Sequence, residues 1–393
     1  MLKICTFGDI HLGSYQGKIL EGGINSRFID FVKTFNETID YTVKNCNICL
    51  ITGDIFKNKD PQPIELEEFA KGLKKLSVAG IETVITLGNH DLFLSEKLKY
   101  SFSVLNILEL SNVYISTKPE IINLKDIQIQ SMPYPVRNLL GLKDMEEVQK
   151  YCINKINEIY ETRDKNKPIM FSGHFTIQDA VTGSEQMSVN RFAEPVVPKS
   201  VFLDKEYLYV ALGHLHRHQI ICEKPHIVYS GSNNRIDFNE AEEPKGFILI
   251  NIDKNKLKWE FIEVDARKFL DLSYDIKDDI NVQEFIENDL LKKKKQLKNA
   301  IVKVSILMPK KNKLTFNPKS IIQKLEEYEV DYIQGSCIPK TYDGLSSKND
   351  SKFNESMSIL DALKLYSDSN GIKDKERFIK FGEEIIKKSF GGK

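Results

Sequence analysis

The sequence predicts an α/β protein: a parallel sheet with helices packed on it, followed by a small α+β unit. Three observations carry this. From Leu2 to Leu87 short apolar runs of strand length alternate with helical stripes, the pattern of a parallel sheet with crossover helices. Five strand-like runs end on side chains able to hold a metal: Asp9 and His11, Asp54, Asn89 and His90, His174, and His214 with His216. Ligands of open α/β sheets gather at the carboxyl ends of strands. Near Ala266 the pattern changes, and a new strand-helix alternation begins behind it.

The first strand, Leu2 to Phe7, hands over Asp9 and His11, which in extended backbone point the same way and can grip one ion. A helical stripe follows with Phe28, Phe31, Val32, Phe35, Ile39 and Val43 inward. The strand from Ile48 stops at Gly53 and delivers Asp54 to the loop beyond. By itself a Gly-Asp strand end is a plain turn carboxylate; the four companion strand ends give it meaning. After a turn with Asp60, Pro61 and Pro63, a second helix turns Leu66, Phe69, Leu73 and Leu76 inward. The strand Glu82 to Leu87 then ends in Gly88, Asn89, His90 and Asp91. A short helix (Ser101 to Leu110), strands near Val113, Ile121 and Ile127, and a helix from Asp144 to Glu161 come next. Pro168 to Ser172 reads as a buried strand ending in Gly173 and His174. The segment from Phe175 to Pro198 shows no periodicity, and so long a loop in a compact domain is usually functional. Tyr207 to Leu212 ends in Gly213, His214, Leu215 and His216. Beyond two short strands near Ile220 and Ile227, Gly246 to Ile252 and Lys256 to Val264 read as a hairpin, which points to a mixed second sheet.

The expected organisation is residues 1–265 as the catalytic domain, 266–340 as the small unit, 341–355 as a polar linker and 356–393 as a helical tail. In the small unit the reading is strand, helix (Val282 to Leu297), strand (Ala300 to Met308), helix (Pro318 to Tyr328) and strand (Asp331 to Ile338). The tail carries two apolar stripes, Ile359, Leu360, Leu363, Tyr366 and then Phe378, Phe381, Ile385, Phe390, which need a covering surface.

Composition narrows the function. With 393 residues and 28% charged positions the chain is long enough for two or three domains with a substantial core. Lys plus Arg and Asp plus Glu number 56 each, so net charge does not argue for nucleic acid, and such a partner must be met by local patches. No signal pattern and no membrane-length apolar window is present, and the six scattered cysteines suit a reducing compartment, so a cytoplasmic protein is expected. Cys46 and Cys49 form a CxxC, but no second pair completes a zinc set, and they read as buried thiols.

Imidazoles, carboxylates and one amide form a mixed nitrogen and oxygen donor set that suits manganese, iron or zinc. Asp54, central in the order, is expected to bridge two ions. One would take Asp9, His11, Asp54 and His216, the other Asp54, Asn89, His174 and His214. Two divalent ions against two carboxylates leave roughly two positive charges for an anionic substrate and a hydroxide, which selects phosphate esters. His90 is left over, to protonate a leaving oxygen or stabilise phosphoryl charge.

These five motifs resemble those of the calcineurin-like metallophosphoesterases, and five of the seven histidines fall within them. The resemblance implies a β-sandwich flanked by helices in α-β-β-α layers. Within that superfamily the whole chain is similar to the SbcD-type double-strand-break-repair nucleases and their phage recombination relatives. The segment Tyr229 to Phe247, with Ser230, Gly231, Ser232, Arg235, Asp237, Phe238 and Lys245, is the most specific part of the likeness. It implies a manganese-dependent nuclease with two Mn2+ ions, acting as a double-strand 3'-to-5' exonuclease and single-strand endonuclease. The small unit would be a capping domain that shapes DNA access, and the tail helices would dock on a coiled-coil ABC-type ATPase of SbcC type. A homodimer within a heterotetramer is implied, with no membrane. Two departures stand out: Lys57 occupies the position of a common histidine, and Ser230 that of a common proline. Lys57 can still meet a phosphate as a point charge. Lys292 to Lys295 and the group Lys310, Lys311, Lys313 are either solvated faces or phosphate contacts. Alternatives are a small-molecule or cyclic-nucleotide phosphodiesterase, which leaves the small unit and tail without a role, and a non-catalytic scaffold of the ATPase complex, against which the intact donor set counts. A protein phosphatase fits less well, because the loop after Asp54 offers no arginine.

Overall fold

The computed structural model describes the chain except for residues 93–99, 184–193, 255, 278–279, 336, 343–363, 365–366, 368–371, 373 and 391–393 and the side chains of 383–390. In chain order the first elements are β1 (Leu2–Phe7), α1 (Ser26–Asn45), β2 (Ile48–Ile51), α2 (Pro63–Val78), β3 (Glu82–Thr86), β4 (Val113–Ser116), β5 (Glu120–Asn123), β6 (Gln128–Met132), α3 (Met145–Glu161) and β7 (Ile169–His174). They continue with β8 (Thr176–Ile177), β9 (Val196–Val197), β10 (Tyr207–Gly213), β11 (Gln219–Glu223), β12 (His226–Tyr229), β13 (Gly246–Asp253) and β14 (Lys256–Glu263).

Two six-stranded sheets result, in the orders β14-β13-β1-β2-β3-β4 and β11-β12-β10-β7-β6-β5. Within the first, β1 to β4 are mutually parallel; within the second, β12, β10, β7 and β6 are. The β13–β14 hairpin forms as expected, but it joins the first sheet, with β13 antiparallel to β1. Both sheets are therefore mixed, each finished by antiparallel strands. The second sheet owes this to β5 and β11.

Strand alternation sorts the side chains into layers. Ile4, Ile48, Leu50 and Val84 face Ile129, Met170, Tyr209 and Val228 between the sheets. Their neighbours Cys5, Phe7, Cys49 and Ile51 point outward under Phe31, Phe35, Ile39, Phe69 and Leu73 of α1 and α2. On the far side Phe171, Tyr207 and Val210 pack under Val148, Cys152 and Ile156 of α3. The result is the α-β-β-α order. All six cysteines are free; Cys46 and Cys49 are buried, and burial pushes both thiols up. Among the described residues no helix is long and apolar enough to cross a membrane.

Helix starts follow local chemistry. The Asn25 side chain accepts from the Arg27 and Phe28 amides to cap α1, and Asp144 caps α3 through Glu147.

The chain forms two compact units. The first comprises Met1–Asp271, Lys295–Lys303 and Tyr328–Gln334, and the second Leu272–Lys294, Val304–Glu327 and Gly335–Lys393. In the second, helices Val282–Lys292 and Pro318–Glu327 pack together, and Leu307 pairs in parallel with Lys340. The helix expected over Val282 to Leu297 stops at Lys292, because Lys293 leaves helical geometry before the short turn Lys294–Leu297. The strand expected over Asp331 to Ile338 is limited to Tyr332–Gln334, since Gly335 at φ 89° turns the chain.

Candidate metal centre

Because β1, β2 and β3 are parallel neighbours in one sheet and β7 and β10 in the other, their carboxyl ends open on one edge of the sandwich. There the strand ends meet. Asp9, His11 and His216 offer ligand atoms all within 4.8 Å of one another, as do Asp54, His174 and His214, and a third group joins His11, Asp54 and His90. Asp54 belongs to two of these sets with different oxygens: Oδ1 lies 3.3 Å from His174 Nε2, and Oδ2 lies 3.7 Å from His11 Nε2. Asn89 Oδ1 is 3.1 Å from both His174 Nε2 and His214 Nδ1. The seven side chains expected to hold metal therefore converge, six of them buried and Asn89 half-buried.

Several contacts fit a cation. The Nε2 atoms of His11 and His216 face each other at 3.1 Å, an arrangement that sets lone pair against lone pair unless a proton or metal lies between. Asp9, His11, Asp54 and His214 all have left-handed backbone, at φ 48°, 47°, 51° and 98°. Non-glycine residues held there cost on the order of 1–3 kcal/mol each, a strain that clusters at functional sites.

What holds the strained backbone is hydrogen bonding that the sequence reading missed. The Asp91 carboxylate accepts from the amides of Asp54 (2.8 Å), Ile55 (2.9 Å) and Gly88 (2.8 Å). The Asp9 carboxylate accepts from the His214 amide at 2.9 Å. A Cβ on Gly88 would lie 2.1 Å from Asp54 Oδ1, so only glycine lets the third strand end approach the central carboxylate.

The outer nitrogens of the rings are also engaged. His174 Nδ1 meets Thr52 O at 2.6 Å, His216 Nδ1 meets Glu240 Oε1 at 3.0 Å, His214 Nε2 meets Glu194 Oε2 at 2.5 Å, and His90 Nδ1 meets Lys57 O at 2.7 Å. Each oxygen accepts the ring proton and leaves the other nitrogen for the centre. Glu240 is itself buried and paired with Lys245 Nζ at 2.8 Å. The only sequence hint of this pair was the similarity of the Tyr229 to Phe247 segment.

Electrostatics favour charge separation around Asp54. Burial pushes Asp54 up, but His174 above all, with His90 and His11, pulls it well below the usual carboxylate range. Burial lowers His174, and Asp54 beside it outweighs that and raises it to about 9. Burial, then His216, push His11 well down, while burial raises Asp9. Burial and the nearby Asp54 raise Asp91 to about 6. A metal competes with protons for these lone pairs.

Lys57 lies at the rim. Its Nζ donates to Ser14 O at 2.6 Å and sits 4.2 Å from the Tyr15 ring, in a cleft of about 520 Å³ that Tyr15, Arg27 and Phe269 also line. Lys310, Lys311 and Lys313 are exposed on a turn of the second unit. Lys292 and Lys294 are exposed on the same unit, whereas Lys295 is exposed on the first.

The family model of the calcineurin-like phosphoesterases matches residues 2–218, a span that includes every residue of the centre. The chain belongs to this family, and it is a metal-dependent phosphodiesterase. Among curated relatives, the SbcD component of the SbcCD nuclease of Staphylococcus saprophyticus is 26% identical over 287 residues, covering 69% of this chain and 71% of that protein. Its counterpart in Staphylococcus epidermidis is 26% identical over 266 residues, covering 65% and 67%. Among solved structures, a dimetal phosphatase from Danio rerio overlaps 66% of this chain and 95% of its own at 8% identity and a TM-score of 0.42, too loose a likeness to add to the assignment.

Proposed function

We propose that this chain is a manganese-dependent DNA nuclease, a double-strand 3'-to-5' exonuclease and single-strand endonuclease, working with an SbcC-like coiled-coil ATPase in repair and recombination. The observation that carries the proposal is the placement of Asp54, whose two oxygens face separate imidazole sets. Asp9, His11, Asp54 and His216 would hold one ion, and Asp54, Asn89, His174 and His214 would hold the other. When bound, such a pair supplies a nucleophile at neutral pH and charge stabilisation for the attacking and leaving oxygens of an in-line displacement.

The chain's own residues do the rest. Asp54 sets the spacing of the two sites, and the backbone amide of His90, donating to Asp54 Oδ1 at 2.8 Å, fixes the loop that carries His90. With Nδ1–H donated to Lys57 O, His90 gives a proton from Nε2 to the leaving oxygen as the imidazolium, in which both ring nitrogens carry protons, and in that form also stabilises phosphoryl charge. Lys57 neutralises a neighbouring phosphate as a point charge. On this reading residues 266–340 form the cap, where Lys310, Lys311 and Lys313 meet the DNA backbone, and residues 356–393 carry the helices that bind the ATPase. The active assembly is a homodimer of this chain within a heterotetramer.

The test is cleavage of labelled linear duplex DNA with manganese, with and without the ATPase, beside a small-molecule diester. Duplex cleavage that the ATPase stimulates, with weak turnover of the diester, is the expected result. Asp54→Asn and His174→Ala should abolish hydrolysis, and undiminished cleavage by either purified variant overturns the ligand assignment.

A further inference from the structure

The far end of the long connection between β7 and β10 returns to the metal centre. β8 pairs in parallel with β9, Thr176 opposite Val196 and Ile177 opposite Val197. The Gln178 amide donates to Val197 O at 2.8 Å. The Tyr229 hydroxyl secures the near end, donating to Phe175 O at 2.7 Å and accepting from the Ile177 amide at 2.9 Å. This small parallel pair places Glu194, two residues before Val196, beside His214. Its side chain is mostly buried at 14% exposure, and Oε2 lies 2.5 Å from His214 Nε2 and 3.5 Å from the Thr176 hydroxyl.

The two histidines of the last strand end use opposite nitrogens. His216 turns Nδ1 outward to Glu240 and Nε2 toward His11, whereas His214 turns Nε2 outward to Glu194 and Nδ1 toward Asn89. A neutral imidazole has one N–H and one lone pair, and a carboxylate can only accept. Glu194 therefore fixes the proton of His214 on Nε2 and leaves the Nδ1 lone pair facing Asn89, His174 and Asp54. Hydrogen-bond acceptors behind metal-binding histidines set both tautomer and ring orientation.

We infer that Glu194 is a positioning residue for the ion held by Asp54, Asn89, His174 and His214, and that the β8–β9 pair serves in part to bring it there. The inference rests on the two-metal reading. Its test is titration of the metal-free full chain with Mn2+, followed by calorimetry and by the electron paramagnetic resonance signature of a coupled manganese pair, for wild type, Glu194→Ala and Glu194→Gln. Wild type should take two ions; uptake of fewer than two overturns the two-metal reading and the inference with it. With two ions in wild type, Glu194→Ala should bind the first normally and the second about 10- to 100-fold more weakly, with loss of the coupled signal. Glu194→Gln, whose amide oxygen can accept the same proton, should restore most of the affinity. Wild-type uptake of the second ion by Glu194→Ala, equal weakening of both ions, or a Gln variant no better than Ala each overturns the inference.

Discussion

His90 differs from its neighbours in what its removal should do. Its ring nitrogen is held by the Lys57 carbonyl and its backbone by Asp54, and the proposed ligand sets of both ions leave it out. His90→Ala should keep both metals while losing on the order of 10²-fold or more in nuclease rate, as for a general acid; loss of metal in elemental analysis would make it a ligand instead. Glu240 acts at the same scale from behind. It is buried against His216 and Lys245, and although burial pushes its carboxyl up, His216 and then Lys245 pull it well below the ordinary range. A carboxylate depressed in the folded state adds stability above its unfolded pKa of about 4.3 and loses it as the pH falls toward the folded value. Glu240→Gln leaves Lys245 buried with Glu243 as its remaining carboxylate. Because Lys245 keeps Glu243, the variant should lose about 1–3 kcal/mol at neutral pH, and its stability should fall less steeply than wild type below about pH 4. Urea unfolding of metal-free protein across pH 3–7 measures both; parallel curves for variant and wild type would remove Glu240 from the acid limb.

At the scale of elements, the two sheets are joined by more than apolar packing. Thr86 on β3 places its hydroxyl 2.8 Å from Ser131 of β6 and 2.7 Å from Ser172 of β7, all three buried. Thr86→Val removes this partner from both serines and should cost about 1–3 kcal/mol, seen as a lower urea midpoint with unchanged m-value; an unchanged midpoint would make the contact dispensable. This link also shows where sequence reading stops. The strand ends bearing Asp9, Asp54, Asn89, His174 and His214 were legible because apolar alternation places each residue and parallel strands share an edge. Asp91, Glu194 and Glu240 were not, because a carboxylate in a loop looks the same whether it meets water or a buried amide. The β13–β14 hairpin was legible as a hairpin from its alternation, but its sheet was not, since nothing in one strand's pattern names the partner edge. The short strand Tyr332–Gln334 was overextended for the opposite reason: apolar Ile338 continued the pattern past a glycine turn.

At the scale of the whole molecule, the question is what the tail does, since the proposed ligands all lie outside it. Every donor of the centre lies in the first compact unit, before residue 218. Of the two expected tail stripes, Ile359, Leu360, Leu363 and Tyr366 lie outside the described residues, as do the side chains of Ile385 and Phe390. The final helix, Lys375–Phe390, shows Phe381 at 65% exposure, an aromatic ring whose burial against a partner is worth more than its exposure to water. An amphipathic helix can lay such a face in the groove of a coiled coil. Tyr342 is the natural place to cut, because the strand Lys340–Tyr342 pairs with Leu307–Pro309 and the Tyr342 hydroxyl donates to Ile276 O at 2.9 Å. Truncation after Tyr342 therefore leaves those contacts in place. It should keep basal manganese-dependent cleavage nearly intact while abolishing ATP-stimulated processing of duplex ends and co-elution with the ATPase. A truncated chain that binds the ATPase with undiminished affinity would put the docking surface on the remaining units.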